Sequence, residues 1–287
     1  MLPIMMRICI IHFGFLSMLA NALYIPDRST TNAELNYRNM NITDFNFALV
    51  EVENLSSETL YINLEGNDLT SMPDNIAMYF SQMERIILND NLRLSFPPDG
   101  SPFLRSPSLI ELICERCGIH KIFTRSLRHL PHLEYLWLSD NQINQIAPYA
   151  FRRNQRLQNV DLSFNKLYTV PADMLKGLFR MKVLDLSNNP NLGLKNDAHF
   201  LASNVLRVLK CNYCGFTELY EETFSDLTNL KELHLEGNPI LAIPYLRVPV
   251  VLIIRRGLQS SSDKNELYNS SGYRYSDWWW NGTVVYV

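Results

Sequence analysis

Eight times along this chain the pattern LxxLxLxxN returns, with Ile, Val, Met, Thr or Cys standing in for some of its leucines. The clearest copies are LEYLWLSDNQI from Leu133 and LQNVDLSFNKL from Leu157; the same frame starts at Thr59, Met83, Leu109, Met181, Leu206 and Leu230. Its ninth place, the ladder position, holds Asn67, Asn91, Cys117, Asn141, Asn165, Asn189, Cys214 and Asn238, at steps of 24, 26, 24, 24, 24, 25 and 24 residues. A period this regular leaves little freedom of fold. Each repeat contributes one short strand, and the strands stack in parallel into a solenoid.

The residue types fit that reading. Alternation such as Leu136-Trp137-Leu138 marks a strand with one face buried. At the ladder position the backbone bends out of the sheet, leaving buried peptide groups unpaired. An Asn side chain both donates and accepts, so it can satisfy them. The return half of the repeat supplies a second apolar set, including Phe151, Leu175, Leu178, Phe200, Phe224 and Leu227. One repeat cannot bury both sets alone; stacked neighbours make a continuous core.

On this frame the chain resembles the extracellular leucine-rich repeat proteins of the 24-residue type. That group includes Toll-like receptor ectodomains, Slit-like guidance proteins, small leucine-rich proteoglycans and secreted insect leucine-rich immune proteins. The resemblance covers residues 35 to about 254. It implies an α/β solenoid, a right-handed horseshoe with a parallel concave sheet and an irregular or short-helical convex side. It also implies protein or glycan recognition in place of catalysis, no cofactor, and a setting in innate immunity. A cell-adhesion or extracellular-matrix role is the alternative, since one fold carries many tasks.

The expected organisation is a signal peptide over 1–22, an N-terminal cap over 23–58, eight repeats with a closing strand over 59–257, and a flexible aromatic tail over 258–287. The signal reading rests on Arg7, the apolar run Ile8–Ala20 and the cleavage pattern Ala20-Asn21-Ala22. No later apolar run is long enough to span a membrane, so a secreted, extracellular glycoprotein is expected. Four sequons agree with that route, at Asn41, Asn54, Asn269 and Asn281, all outside the eight frames. The net charge of −3 comes with no basic stripe in the sequence, which argues against nucleic acid as a partner. The cap lacks the cysteine knot usual in the family. Residues 35–45 are the expected capping strand, and Val250–Ile254 the closing strand. The stretch SFPPDGSPFLRSP, with four prolines, is expected as an irregular convex loop. The tail carries Trp278, Trp279 and Trp280. Oligomeric state is left open.

Beyond Cys9, four cysteines remain as two CxxC pairs, Cys114 with Cys117 and Cys211 with Cys214. Two such pairs suggest zinc. Periodicity opposes it: the pairs occupy the same two inward places of the third and seventh frames. Four strand spacings separate them by roughly 19 Å, too far for one tetrahedral ion. A redox CxxC would need to open a helix after a strand, which this frame does not provide. Two readings remain, buried thiols or local disulfides.

Residues between the buried leucines should point outward on the concave side. Ten candidates for a binding face follow: Tyr61, Arg85, Glu111, Ile113, Tyr135, Trp137, Asp161, Asp185, Lys210 and His234. Tyr135 and Trp137 fall mid-solenoid, and Trp137 is expected to be largely exposed. Aromatic residues near the centre of a patch are the usual anchors of an interface. Asp161 and Asp185 lie on neighbouring rungs, a spacing open to acid–base chemistry, but an open curved sheet offers no cleft that excludes water. No nucleophile sits beside His234 in the frame.

Overall fold

The computed structural model describes residues 34–44, 59–73, 76–194, 199–241, 244, 251–254 and 284–286. Each frame yields one three-residue strand at its third to fifth places: β2 (Tyr61–Asn63), β3 (Arg85–Ile87), β4 (Glu111–Ile113), β6 (Tyr135–Trp137), β8 (Asn159–Asp161), β9 (Val183–Asp185), β10 (Val208–Lys210) and β11 (Glu232–His234). A strand precedes them, β1 (Glu34–Asn36), and two follow, β12 (Val251–Ile254) and β13 (Val284–Tyr286). All eleven join one sheet in the order β1-β2-β3-β4-β6-β8-β9-β10-β11-β12-β13, and neighbours are parallel. The solenoid expected from the period is the fold observed.

Register explains the burial. Leu112, Leu136, Val160 and Leu184 face one another across successive rungs. With Leu138, Leu162 and Leu186 they belong to a single buried apolar cluster that runs the length of the repeats. Removing this much apolar surface from water is the main stabilising term, at roughly 25 cal/mol per Å².

The convex side is irregular with little helix, as the resemblance implies. Among the described residues it holds one four-residue helix, α1 (Ile76–Tyr79), and a two-stranded parallel sheet of β5 (Lys121–Ile122) and β7 (Gln145–Ile146); the rest is turns. The proline-rich stretch after Ser95 forms neither helix nor strand. Phe96 and Phe103 turn inward from it, with ring centroids 4.9 Å apart.

The ladder asparagines do the work their chemistry suggests. Asn141 Nδ2 donates to Leu138 O at 3.1 Å and, across the rung, to Cys114 O at 2.7 Å; its Oδ1 accepts the Ile119 N–H at 3.2 Å. Asn91, Asn165 and Asn189 repeat the set. The residue before each ladder position has a left-handed backbone: Gly66, Asp90, Arg116, Asp140, Phe164, Asn188, Tyr213 and Gly237 have φ between 50° and 69°. Gly, Asp and Asn accept that conformation readily; Arg116, Phe164 and Tyr213 hold it at a cost.

Cysteine replaces Asn where the acceptor is not needed. In the two lengthened repeats, the second and the sixth, the inward apolar residue after the ladder comes one place later, as Leu94 and Leu192. Its N–H donates to the ladder carbonyl of its own repeat, Asn91 O and Asn189 O, at 2.9 Å in both cases. The next repeat need not supply an oxygen there, and it is there that Cys117 and Cys214 stand. The two pairs differ in state. Cys114 and Cys117 form a disulfide, while Cys211 and Cys214 are buried free thiols. Burial pushes the Cys211 thiol well up, and its hydrogen bond with Cys214 adds to the shift.

The ends also join the sheet. β1 lies in the stretch expected to cap the first repeat and pairs with β2. β12 coincides with the expected closing strand to within a residue. The structure differs from the expected flexible tail at its end, where Val284–Tyr286 pairs with β12. Two β-branched residues and a tyrosine in succession have that preference. The expected signal peptide and Trp278, Trp279 and Trp280 lie outside the described residues. Among the described residues no helix is long and apolar enough to cross a membrane.

Candidate binding face

The concave face is built from the two outward residues of each strand. In the first four repeats one of the two on each strand is linked side chain to side chain with its neighbours. The Arg85 guanidinium lies 5.3 Å from the centre of the Tyr61 ring and forms an ion pair with Glu111 Oε2. The other carboxylate oxygen, Glu111 Oε1, accepts the indole N–H of Trp137 at 2.7 Å. This relay, Tyr61–Arg85–Glu111–Trp137, crosses β2, β3, β4 and β6 on consecutive rungs.

The relay corrects one expectation. Trp137 does point to the concave face, but it is half-buried, not largely exposed. Its indole is tied to the rung before it instead of standing free in water. Ile113 lies beside it in register on β4 and Asp161 on β8, with Tyr135 on its own strand. All three are half-buried as well.

The last four repeats are different. Asp161 and Asp185 are register partners. Each uses Oδ1 to accept a backbone N–H two residues on, Ser163 at 2.8 Å and Ser187 at 2.9 Å. This is an Asx turn, which folds the chain at the end of its strand. Their first task is therefore structural, and the frame places both on an open sheet. Burial is the main cause that raises the Asp161 pKa, and the charge of Asp185 adds to it; hydrogen bonds from Ser163 and the charge of Lys210 oppose it. Lys210 Nζ lies 3.4 Å from Asp185 Oδ2, and His234 Nε2 lies 3.3 Å from Glu232 Oε2.

By alternation the seventh place of the frame, which holds Glu65, Asn89, Glu115, Ser139, Ser163, Ser187, Asn212 and Glu236, should form a third outward column beside the two of the strand. Ser163 and Ser187 within it are buried instead, because the turn that follows the strand folds them under. Asn89 and Asn212 of the same column tie rungs together, accepting the N–H of Glu115 and Glu236 at 2.8 Å.

Of the four sequon asparagines, Asn41 is exposed, beside the cap strand; Asn54, Asn269 and Asn281 lie outside the described residues. Among the described residues no cluster of His, Cys, Asp or Glu is arranged to hold a metal.

Comparison with known proteins agrees with the geometry. A leucine rich repeat family model matches residues 107–167. Transforming growth factor beta activator LRRC33 of Danio rerio is 30% identical over 167 residues, 56% of this chain and 23% of that protein. Podocan-like protein 1 of Homo sapiens is 26% identical over 250 residues, 78% of this chain and 48% of its own length. Toll-like receptor 4 of Equus caballus is 25% identical over 223 residues, 74% of this chain and 25% of the receptor. The chain thus spans less than half of each of these relatives. Eight frames, their parallel stack and these likenesses make the chain a leucine-rich repeat protein, one that resembles the ectodomains of Toll-like receptors.

Proposed function

We propose that this protein is a secreted binding protein, not an enzyme, and that it recognises an extracellular protein or glycan ligand on the concave face of its first repeats. The observation that carries this reading is the relay that fixes Trp137. A large aromatic side chain held by Glu111, which is itself held by Arg85, has little rotamer freedom left to lose on binding. Tyr135 and Ile113 give it apolar neighbours, as at the centre of interfaces that carry most of their energy on a few residues. Half-buried Ile87 and Ile113 favour a protein ligand over a glycan. Innate immunity is the proposed setting, on the resemblance to Toll-like receptors. Secretion is supported by the signal-like first 22 residues. A matrix or adhesion role is the second reading, drawn from the resemblance to small leucine-rich proteoglycans, and it would show as self-association in sedimentation.

The test places a photo-cross-linking residue at Tyr135 on the concave face or at Arg153 on the convex side. Each protein is exposed to extracellular fluid from the source organism. The same ligand should be captured from position 135 and not from 153. Capture from 153 alone, or only of the protein's own chain, would reject the concave reading.

A further inference from the structure

A second surface lies off the concave face, on the rim where the strands begin. The second place of the frame holds Leu60, Glu84, Ile110 and Glu134 in the first four repeats, and Gln158, Lys182, Arg207 and Lys231 in the last four. The cations are 24 or 25 residues apart in sequence, so no basic run announces them. Stacking makes them neighbours. The N–H groups of Lys182 and Val183 both donate to Gln158 O, those of Arg207 and Val208 to Lys182 O, and those of Lys231 and Glu232 to Arg207 O, at 2.7 to 3.1 Å. Three cationic side chains therefore leave a hydrogen-bonded backbone at the strand spacing of about 4.8 Å.

Beside them is an open hollow of about 550 Å³. Arg180 adds a fourth cation to its lining, and no carboxylate lines it. None of the four takes part in an ion pair among the described residues. Lys182 Nζ donates to the neutral Gln158 Oε1 at 2.6 Å, which leaves its charge uncompensated. Phe179 stands at the hollow with 71% of its surface exposed. Like charges facing one another on adjacent strands are destabilising. A row of three, next to an exposed phenyl ring, has no structural purpose visible in the fold.

We propose that this rim binds a sulfated, linear saccharide chain. The three kinds of group present match the three parts of such a ligand. Cations pair with sulfate or carboxylate oxygens, the side-chain amides of Asn204 and Asn229 in the lining meet hydroxyls, and the Phe179 ring packs on the apolar face of a sugar. An acidic peptide leaves the amide and ring arrangement unexplained. A nucleic acid would need a longer track, because its affinity grows with the number of phosphates neutralised. Here the row ends at Glu134, which is hydrogen-bonded to Gln158. The proposal is independent of the concave reading, since the two surfaces share no residue.

The test is titration calorimetry of the full chain with a size-defined, fully sulfated octasaccharide of the heparin type. Controls are the same octasaccharide without sulfates, inorganic polyphosphate, and a single-stranded oligodeoxynucleotide of equal charge. The sulfated chain should bind with an affinity that falls as salt rises. Lys182→Ala/Arg207→Ala/Lys231→Ala should lose about 30-fold or more through its charge-assisted contacts. Phe179→Ala should lose about fivefold against the saccharide, as an exposed packing contact does, and nothing against polyphosphate. Trp137→Ala should bind the saccharide normally. Thermal unfolding confirms that each variant folds; should the triple variant fail, single Lys→Gln and Arg207→Gln changes take its place, each costing about threefold. No binding by the unmodified chain, an undiminished triple variant, or polyphosphate or oligonucleotide bound as tightly as the saccharide would overturn the proposal.

Discussion

In repeats one to four the concave face joins Tyr61, Arg85, Glu111 and Trp137 into one relay, and the rim is acidic or apolar. In repeats five to eight the face carries Asp161, Asp185, Lys210 and His234, all at the fifth place of the frame that Trp137 holds in the fourth, and the rim carries Lys182, Arg207 and Lys231. The backbone beneath does not register this change. Strand length, register and the hydrogen bonds at the rim continue from one half to the other. The inward places of the frame set the solenoid, and the outward places are free to differ, so each half can present its own chemistry. The cysteine rungs make the same point from inside: Cys114 and Cys117 are joined, and Cys211 and Cys214, in the same places four repeats on, are not.

The largest expected effect separates the two kinds of ladder rung. Asn165→Ala removes donations to Leu138 O and Leu162 O and the acceptor for Ile143 N–H. Each buried group left unsatisfied costs about 1–3 kcal/mol, so the loss should reach about 4 kcal/mol in denaturant unfolding. Cys214→Ala loses a thiol contact to Leu186 O and some packing, and should cost about 1 kcal/mol. Equal costs would break the account of why cysteine is tolerated where the preceding repeat satisfies itself.

Glu111→Ala comes next. It releases Arg85 and the Trp137 indole together, and a loss of about 1–2 kcal/mol is expected, with tryptophan emission moving to the red as the ring is freed. Asp185→Ala in the other half should leave the emission unchanged. An unshifted spectrum for Glu111→Ala would mean that Trp137 is held by packing alone.

Phe164→Gly should raise stability by about 1 kcal/mol, because Phe164 occupies a left-handed seat (φ 52°) with an exposed ring. Gly237→Ala in the equivalent seat should do the reverse. Its new Cβ would collide with the Tyr213 ring, and the backbone there is left-handed too. A gain in stability for Gly237→Ala would remove the distinction.

The smallest effect is electrostatic. Burial raises the Asp161 pKa, so the folded chain holds that proton more tightly than the unfolded one. Acidification between the ordinary carboxylate range and the raised value therefore favours the folded state, and the ionised carboxylate weakens it at neutral pH. Asp161→Asn keeps an oxygen for the Ser163 N–H and removes the charge. It should be at least as stable as the native chain at neutral pH, and that advantage should shrink as pH falls through the raised value. An advantage that grows on acidification would show the opposite sign of shift.

Most of the architecture is legible in the sequence, for a physical reason. Inward residues repeat because every rung meets the same neighbours, so Leu136, Leu138, Leu162 and Leu186 declare their burial by period alone. Outward residues repeat no rule, and periodicity gives their direction but not their partners. It sends Trp137 to the concave face without revealing that Glu111 holds it. It sends Ser163 and Ser187 outward although the Asx turns at Asp161 and Asp185 fold them under. The left-handed seat before each ladder residue is half visible: Gly66, Asp90, Asp140, Asn188 and Gly237 are the types that favour it, while Arg116, Phe164 and Tyr213 hide it. The rim cations escape a linear reading altogether, because only stacking brings them together.

The central claim is that the relay-held aromatic of the first half is the recognition surface. Its most direct test is the affinity of the cross-linked ligand for the native chain, for Trp137→Ala, for the convex control Arg152→Ala and for a chain ending at Gly257. Trp137→Ala should weaken binding by about 2 kcal/mol or more, as central aromatic anchors do. It should cost folding only about 1 kcal/mol, since the ring is half-buried. Arg152→Ala and the shortened chain should bind as the native protein does. Normal binding by Trp137→Ala together with loss of binding in the shortened chain would contradict the account and move recognition to the aromatic tail.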